Sequence, residues 1–241
     1  MFRRLSLLVV AVVLAGCAPG EAGGRELTVF AAASLTGTFT ELGKVFEAGH
    51  PGTRVRFNFG SSATLAQQIT QGAPADVFAS ASPATMKAVT GSTGAAPVTF
   101  ARNRLEIAVP VANPAGVDGP ADLAGPGVKV ALCAEQVPCG AAAARALEAA
   151  GVKVTPVTLE RDVKATLTKV ELGEVDAALV YRTDVIAAAG RVTGIGFPEA
   201  ARAVNDYPIV ALTSGLAGEF VGLVRSARGR DVLTGAGFEV P

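Results

Sequence analysis

Leu27-Thr-Val-Phe-Ala-Ala-Ala-Ser-Leu35 and its echo Arg54-Val-Arg-Phe-Asn-Phe-Gly-Ser-Ser62 decide the fold. In the first, an apolar run over Leu27 to Ala31 predicts a strand. Tiny alanines follow, and then Ser34 opens a helix whose apolar positions Leu35, Phe39, Leu42 and Phe46 keep helical spacing. The turn Gly49-His50-Pro51-Gly52 stops it. In the second, a strand over Arg54 to Phe59 ends at Gly60-Ser61-Ser62, and a helix is expected from about Thr64 to Gln71. Strand, small-residue turn and helix, repeated twice in succession, is the rhythm of an α/β protein with parallel strands. Ser34 is expected to cap its helix, its side-chain oxygen accepting from an orphan N–H.

The same rhythm runs outward from there. A strand over Asp76 to Ala79, a helix over Pro83 to Val89 and a strand over Leu105 to Val109 come next, and a stretch rich in Gly, Pro and Ala from Pro110 to Gly127 marks a change of region. Beyond it the pattern restarts with strands over Val128 to Leu132, Val152 to Val157 and Ala177 to Val180. They alternate with helices over Ala141 to Ala150, Val163 to Leu172 and Thr183 to Ala189. A strand over Tyr207 to Leu212 and two helices between Gly218 and Ala236 close the chain. The tail has the period of the first unit and is expected to return to it. That gives one lobe from residues 25–104 and 206–241, a second from 105–205, and a hinge of two crossings near Arg104 and Asn205.

The N-terminus adds a destination. Arg3 and Arg4 precede an apolar run from Leu5 to Ala15, too short at about twelve residues for a spanning helix of roughly twenty, so residues 1–16 read as a signal peptide rather than a permanent anchor. Leu14-Ala-Gly-Cys17 resembles the bacterial lipobox, which makes Cys17 the expected lipid attachment point and the Gly/Ala/Pro-rich residues 17–24 a leash. Removal of residues 1–16 takes away two basic residues and no acid, leaving 19 basic against 21 acidic residues, a net charge of −2. With no cationic block and only 5% aromatic residues, nucleic-acid binding and base or sugar stacking are excluded. With Cys17 assigned to lipid, Cys133 and Cys139 remain as an even pair in an oxidising compartment, expected to be bonded, with two free thiols as the alternative.

The candidate chemistry lies at helix starts. Ser34, and then Ser61 and Ser62, place hydroxyls and free N–H groups where two helices begin, and such ends attract anions through both the orphan N–H groups and the macrodipole. Val137-Pro-Cys-Gly140 and Arg161-Asp-Val163 offer the same in the second half, and Tyr181 ends a strand where its phenol reaches a cleft. A hydrolase would need a base beside its nucleophile. The lone histidine, His50, sits in a turn outside these motifs, and neither a Gly-x-Ser-x-Gly elbow nor a paired-carboxylate motif is present. The same lone histidine leaves no zinc site.

Phe30-Ala-Ala-Ala-Ser-Leu35, Ser61-Ser-Ala-Thr-Leu65, Gly72-Ala-Pro-Ala-Asp-Val-Phe-Ala-Ser-Ala81, Val137-Pro-Cys-Gly140, Asp162-Val163 with Leu167 and Val170, Gly173-Glu-Val-Asp-Ala-Ala-Leu-Val-Tyr181 and Tyr207-Pro-Ile209 together resemble the molybdate-binding proteins of ABC importers, over about Leu27 to Phe238. The resemblance implies a two-lobed type II periplasmic-binding-protein fold, no catalysis, no cofactor and no metal held directly by side chains. It implies a molybdate or tungstate ligand, a membrane permease as partner and a monomer tethered outside the cytoplasm by its N-terminal lipid. It places ligand contacts at the hydroxyls and N–H groups of Ser34 and Ser62, the N–H groups of Cys139 and Val163, and the phenol of Tyr181. The family usually has alanine where this chain has Cys139. Sulfate, phosphate and iron(III) binders share the plan, but iron sites want several tyrosines or acids, and this chain has two tyrosines.

Overall fold

A computed structural model describes residues 24–241; the expected signal peptide and Cys17, with all but the last residue of the leash, lie outside the described residues. The chain begins with β1 (Arg25–Ala32), a short 3-10 turn over Ala33–Leu35, and α1 (Thr36–Gly49). It continues through β2 (Thr53–Gly60), α2 (Ser62–Thr70), β3 (Val77–Ala79), α3 (Pro83–Thr93) and β4 (Val98–Asn103). The second run is β5 (Leu105–Pro110), β6 (Val130–Cys133), α4 (Pro138–Ala150), β7 (Thr158–Glu160), α5 (Val163–Glu171), β8 (Ala177–Tyr181), α6 (Arg182–Ala187) and β9 (Val192–Ile195). Last come β10 (Asn205–Ala211), α7 (Leu216–Arg225) and α8 (Ala227–Gly235).

These strands form two five-stranded mixed sheets, ordered β2-β1-β3-β10-β4 and β7-β6-β8-β5-β9. In the first, β1 pairs in parallel with β2 and β3, and β10 joins antiparallel to β3. In the second, β6 pairs in parallel with β7 and β8, and β5 joins antiparallel to β8. The chain leaves the first sheet after Asn103, enters the second at Leu105 and returns at Asn205. Each sheet therefore has three parallel strands whose carboxyl ends lie together, the edge at which open α/β sheets bind ligands. One local device recurs in both. Asp76, just before β3, accepts from Thr28 N at 2.8 Å, and Asp176, just before β8, accepts from Lys129 N at 2.8 Å. Each aspartate thus pins the start of a central strand to its neighbour.

Burial follows the helical spacing read from the sequence. Leu35, Phe39, Leu42 and Phe46 are all buried, and Phe39 meets Phe100 and Phe220 at ring-centroid distances of 5.8 Å. Such tilted and edge-on contacts suit the aromatic quadrupole. His50 stacks on Phe46 at the end of α1, with Nδ1 to Phe46 O at 2.8 Å and Nε2 to Glu219 at 2.7 Å. The Glu219 carboxylate raises its pKa above the ordinary 6.5. The lone histidine is thereby committed to joining α1 and α7.

Several elements differ from the sequence reading. Val152–Val157 is not a strand: its alternation of half-buried and exposed residues runs on to Glu160, but β6 offers ladder partners only to Thr158, Leu159 and Glu160. Pro156 also lacks the N–H a ladder needs. Helix α2 starts at Ser62 rather than Thr64, and α4 at Pro138 rather than Ala141, since proline at the first helical position is pre-set for the turn. Strands β4 and β9 were not expected. Both complete their sheets through antiparallel partners distant in sequence. Within β9, Gly194 is required because a Cβ there would lie 2.5 Å from the Val185 side chain on α6.

Candidate functional site

A cavity of about 20 Å³, measured as the space open to the centre of a water-sized sphere, lies between the carboxyl edges of the two sheets. One water needs ~10–15 Å³ of such space, so the cavity suits an ion of a few atoms. Its walls come from the ends of all six parallel strands. Ala32 ends β1 and Ala33 and Ser34 follow it, Gly60 ends β2 and Ser61 and Ser62 follow it, and Ala81 follows β3. Val137, Pro138 and Cys139 lie beyond β6, Asp162 and Val163 beyond β7, and Tyr181 ends β8. All five residues expected at the site (Ser34, Ser62, Cys139, Val163, Tyr181) line this one cavity.

The local chemistry of the wall is that of donors. Neither α2 nor α4 has a side-chain cap at its first turn, so the N–H groups at those starts face the cavity region without an intrahelical acceptor. Helix α5 is capped by Asp162, whose Oδ1 accepts from Ala165 N at 3.0 Å. That leaves the Val163 N–H at the helix start. Ser62, only 1% exposed, accepts from Ala81 N at 3.0 Å through Oγ, so its own hydrogen is left for another acceptor. Ser61 Oγ is buried with no hydrogen-bond partner. Among the described residues no lysine or arginine lines the cavity.

Ser34 is not a helix cap. It sits inside the 3-10 turn, and its Oγ pairs with the Tyr207 hydroxyl at 2.9 Å. Leu35 occupies the N-cap position of α1, one residue after Ser34, and a buried phenol satisfies the serine instead. Tyr181 and Tyr207 are both fully buried, with ring centroids 6.1 Å apart. Desolvation pushes the Tyr181 phenol well above its ordinary 10, with the neighbouring Tyr207 and Asp184 adding to the shift; burial raises Tyr207 as well. Both phenols therefore keep their protons at physiological pH. Asn205, 4% exposed, donates from Nδ2 to Tyr181 Oη at 2.7 Å and to Ala81 O at 2.9 Å. The sequence reading gave no site role to Tyr207 or Asn205, which stand behind the cavity wall, although it marked Asn205 as a crossing and Ser61 as a hydroxyl at a helix start. Tyr207 is one of two tyrosines and stands beside that crossing, a signal that could have found it; the residue type of Asn205 gives no such signal.

Cys133 and Cys139 form a disulfide with Cα atoms 5.8 Å apart, tying the end of β6 to the first turn of α4. Gly140 follows immediately. A Cβ there would lie 1.9 Å from Ala134 O, so only glycine lets the helix start press against the loop. Among the described residues there is no cluster of three or more metal-ligating side chains, and no helix long and apolar enough to cross a membrane.

Two sheets joined by two chain crossings, with a small donor-lined cavity between their carboxyl edges, define a two-lobed solute-binding protein. The profile of one family, described as bacterial extracellular solute-binding protein, matches residues 27–239, and the chain belongs to that family. It is therefore a binding protein and not an enzyme. The molybdate-binding protein ModA of Mycobacterium tuberculosis (strain ATCC 25618 / H37Rv) is 45% identical over 225 residues, covering 91% of this chain and 86% of that one. The molybdate-binding protein ModA of Escherichia coli (strain K12) is 32% identical over 232 residues, covering 88% of each. Among solved structures, the periplasmic molybdate-binding protein of Azotobacter vinelandii superposes with a TM-score of 0.75 at 22% identity, over 89% of this chain and 99% of that one. That match shows the periplasmic-binding-protein fold.

Proposed function

We propose that this protein captures molybdate, or its near-isostere tungstate, outside the cytoplasm and hands it to an ABC permease. The observation that carries the reading is the cavity itself, a space for a few-atom ion lined by hydroxyls and helix-start N–H groups, without a cation. A buried tetrahedral dianion must replace its hydration with hydrogen bonds to every oxygen. Bonds to a charged acceptor are about twice as strong as neutral ones, so neutral donors suffice. The donors assigned to this task are Ser34 and Ser62 from the first sheet, and Cys139, Val163 and Tyr181 from the second. Residues 25–104 with 206–241, and residues 105–205, act as the two lobes that close on the ion, so binding and closure become one event. The 45% identity to a protein named for molybdate binding supports the same ligand.

Titration calorimetry of the purified protein with molybdate, tungstate, sulfate and phosphate tests this directly. Molybdate and tungstate are expected to saturate one site, with sulfate weaker by at least about tenfold, ~1.4 kcal/mol, because it is the smaller ion in the same cavity. Tighter binding of sulfate or phosphate would overturn the assignment.

Residues 1–16 serve in this reading as the export signal, and Cys17 carries the lipid that holds the monomer at the membrane. Expressed in full in a bacterial host, the protein is expected to partition into the detergent phase of a Triton X-114 extraction. Cys17→Ser should move it to the aqueous phase; identical partitioning of the two would rule out the tether.

A further inference from the structure

Asn205 lies behind the cavity wall, where the chain re-enters the first sheet, and its side-chain amide touches both sheets' elements. Nδ2 donates to Ala81 O, on the loop after β3, and to Tyr181 Oη at the end of β8. Oδ1 accepts from Arg145 Nη2 at 3.1 Å, across from α4. The orientation of this amide is determined by its partners. A guanidinium can only donate and a carbonyl can only accept, so Oδ1 must face Arg145 and Nδ2 must face Ala81. The second N–H of the amide has Tyr181 Oη at 2.7 Å and Pro138 O at 3.5 Å within reach, and the much closer phenol oxygen accepts it.

A phenol that accepts from one side still has one hydrogen, and burial keeps that hydrogen in place. With Asn205 occupying the acceptor direction, the Tyr181 hydrogen is left for an acceptor, either the neighbouring Tyr207 Oη or an ion held in the cavity that Tyr181 lines. We propose that Asn205 is a positioning residue for the binding site, with Arg145 fixing its amide. Together they force Tyr181 to present a donor, rather than a lone pair, to the ligand. This extends the oxyanion reading above and rests on it: a lone pair aimed at a dianion would repel it, so the polarity of a single hydroxyl decides whether Tyr181 helps or hinders. It also shows how a cation can serve an anion site without entering it. Arg145 is itself exposed and acts through one amide, so the cavity stays free of the charge that would favour any anion without regard to size.

The test is a double-mutant cycle by titration calorimetry with sodium molybdate, on native protein, Asn205→Leu, Tyr181→Phe and the double variant, with Arg145→Met as a milder probe. Asn205→Leu is expected to weaken binding about tenfold in the native background and less than about twofold in the Tyr181→Phe background, the coupling that contacting residues show. Arg145→Met should weaken binding severalfold, and this loss too should vanish when Tyr181 is phenylalanine. Equal losses in both backgrounds would mean that Asn205 acts only as a structural joint, and would overturn the proposal while leaving molybdate binding intact. If Asn205→Leu does not fold, the Arg145→Met cycle, made at an exposed position, decides alone. Native protein that fails to bind molybdate would overturn the functional reading, and this inference with it.

Discussion

Gly140→Ala is expected to lower the melting temperature by roughly 6–12 °C and to abolish measurable molybdate binding. The methyl would meet Ala134 O at 1.9 Å and Cys133 O at 2.7 Å, both backbone atoms that cannot rotate away. Neither side of the contact is free to retreat. Ala134 N is held by Glu160 O at 2.8 Å, Val137 N by Ala134 O at 3.1 Å, and the Cys133–Cys139 bridge ties the loop to the helix. Overpacking a fixed site of this kind costs about 3 kcal/mol or more, and in a domain of this size each kcal/mol shifts melting by roughly 2–4 °C. Relief of the clash requires α4 to move off the loop, which carries the Cys139 N–H out of the cavity wall. Differential scanning calorimetry and ligand titration read the two effects. A variant melting within about 2 °C of native, with native affinity, would show that the loop is far softer than its hydrogen bonds indicate.

Ser62→Ala is expected to weaken molybdate binding by about 1.5–3 kcal/mol, roughly tenfold to 150-fold, and to destabilise the unliganded protein by a further ~1–3 kcal/mol. Two separate losses are combined here. The Ser62 hydrogen is free for the ligand because Oγ accepts from Ala81 N, and removing the oxygen leaves that buried N–H without a partner. Calorimetric titration measures the first and urea denaturation of unliganded protein the second. A variant with unchanged affinity but lowered stability would remove Ser62 from the ligand set while confirming its bond to Ala81.

Much of this was legible because local pattern and tertiary outcome agreed. Leu27 to Ala31 and Ala177 to Val180 read as apolar extended runs, and they are inner parallel strands buried on both faces, whereas Arg54 to Phe59 alternates polar and apolar residues and forms an edge strand. The five expected site residues line one cavity because each closes a strand or opens a helix, and the topology gathers those ends. The even cysteine pair anticipated the disulfide without any geometry. The misreadings share a cause, which is that pairing partners and hydrogen-bond partners far away in sequence cannot be seen locally. Val152 to Val157 has a strand's alternation but no neighbour beyond Val130 to pair with. Ser34 has a cap's context, but its hydroxyl goes to a tyrosine 173 residues away. Asn205 was legible as a crossing but not in its role, because that role lies in side-chain hydrogen bonds to Ala81, Pro138, Arg145 and Tyr181, all distant in sequence.

The return of β10 to the first sheet sets the order in which the molecule can assemble. The second sheet is built wholly from one unbroken stretch, Leu105 to Ile195, whereas β3 waits for a neighbour that begins only at Asn205. Until that strand arrives, β3 and β4 are both open edges, and closing a loop of that length is slow compared with local contacts. The second sheet can therefore be completed from its own stretch, whereas the first is not sealed until residues 205–211 arrive. The final strand to enter carries Asn205 and Tyr207, so the polar network behind the cavity is among the last parts of the protein to form, and a chain truncated before residue 205 would lack it altogether.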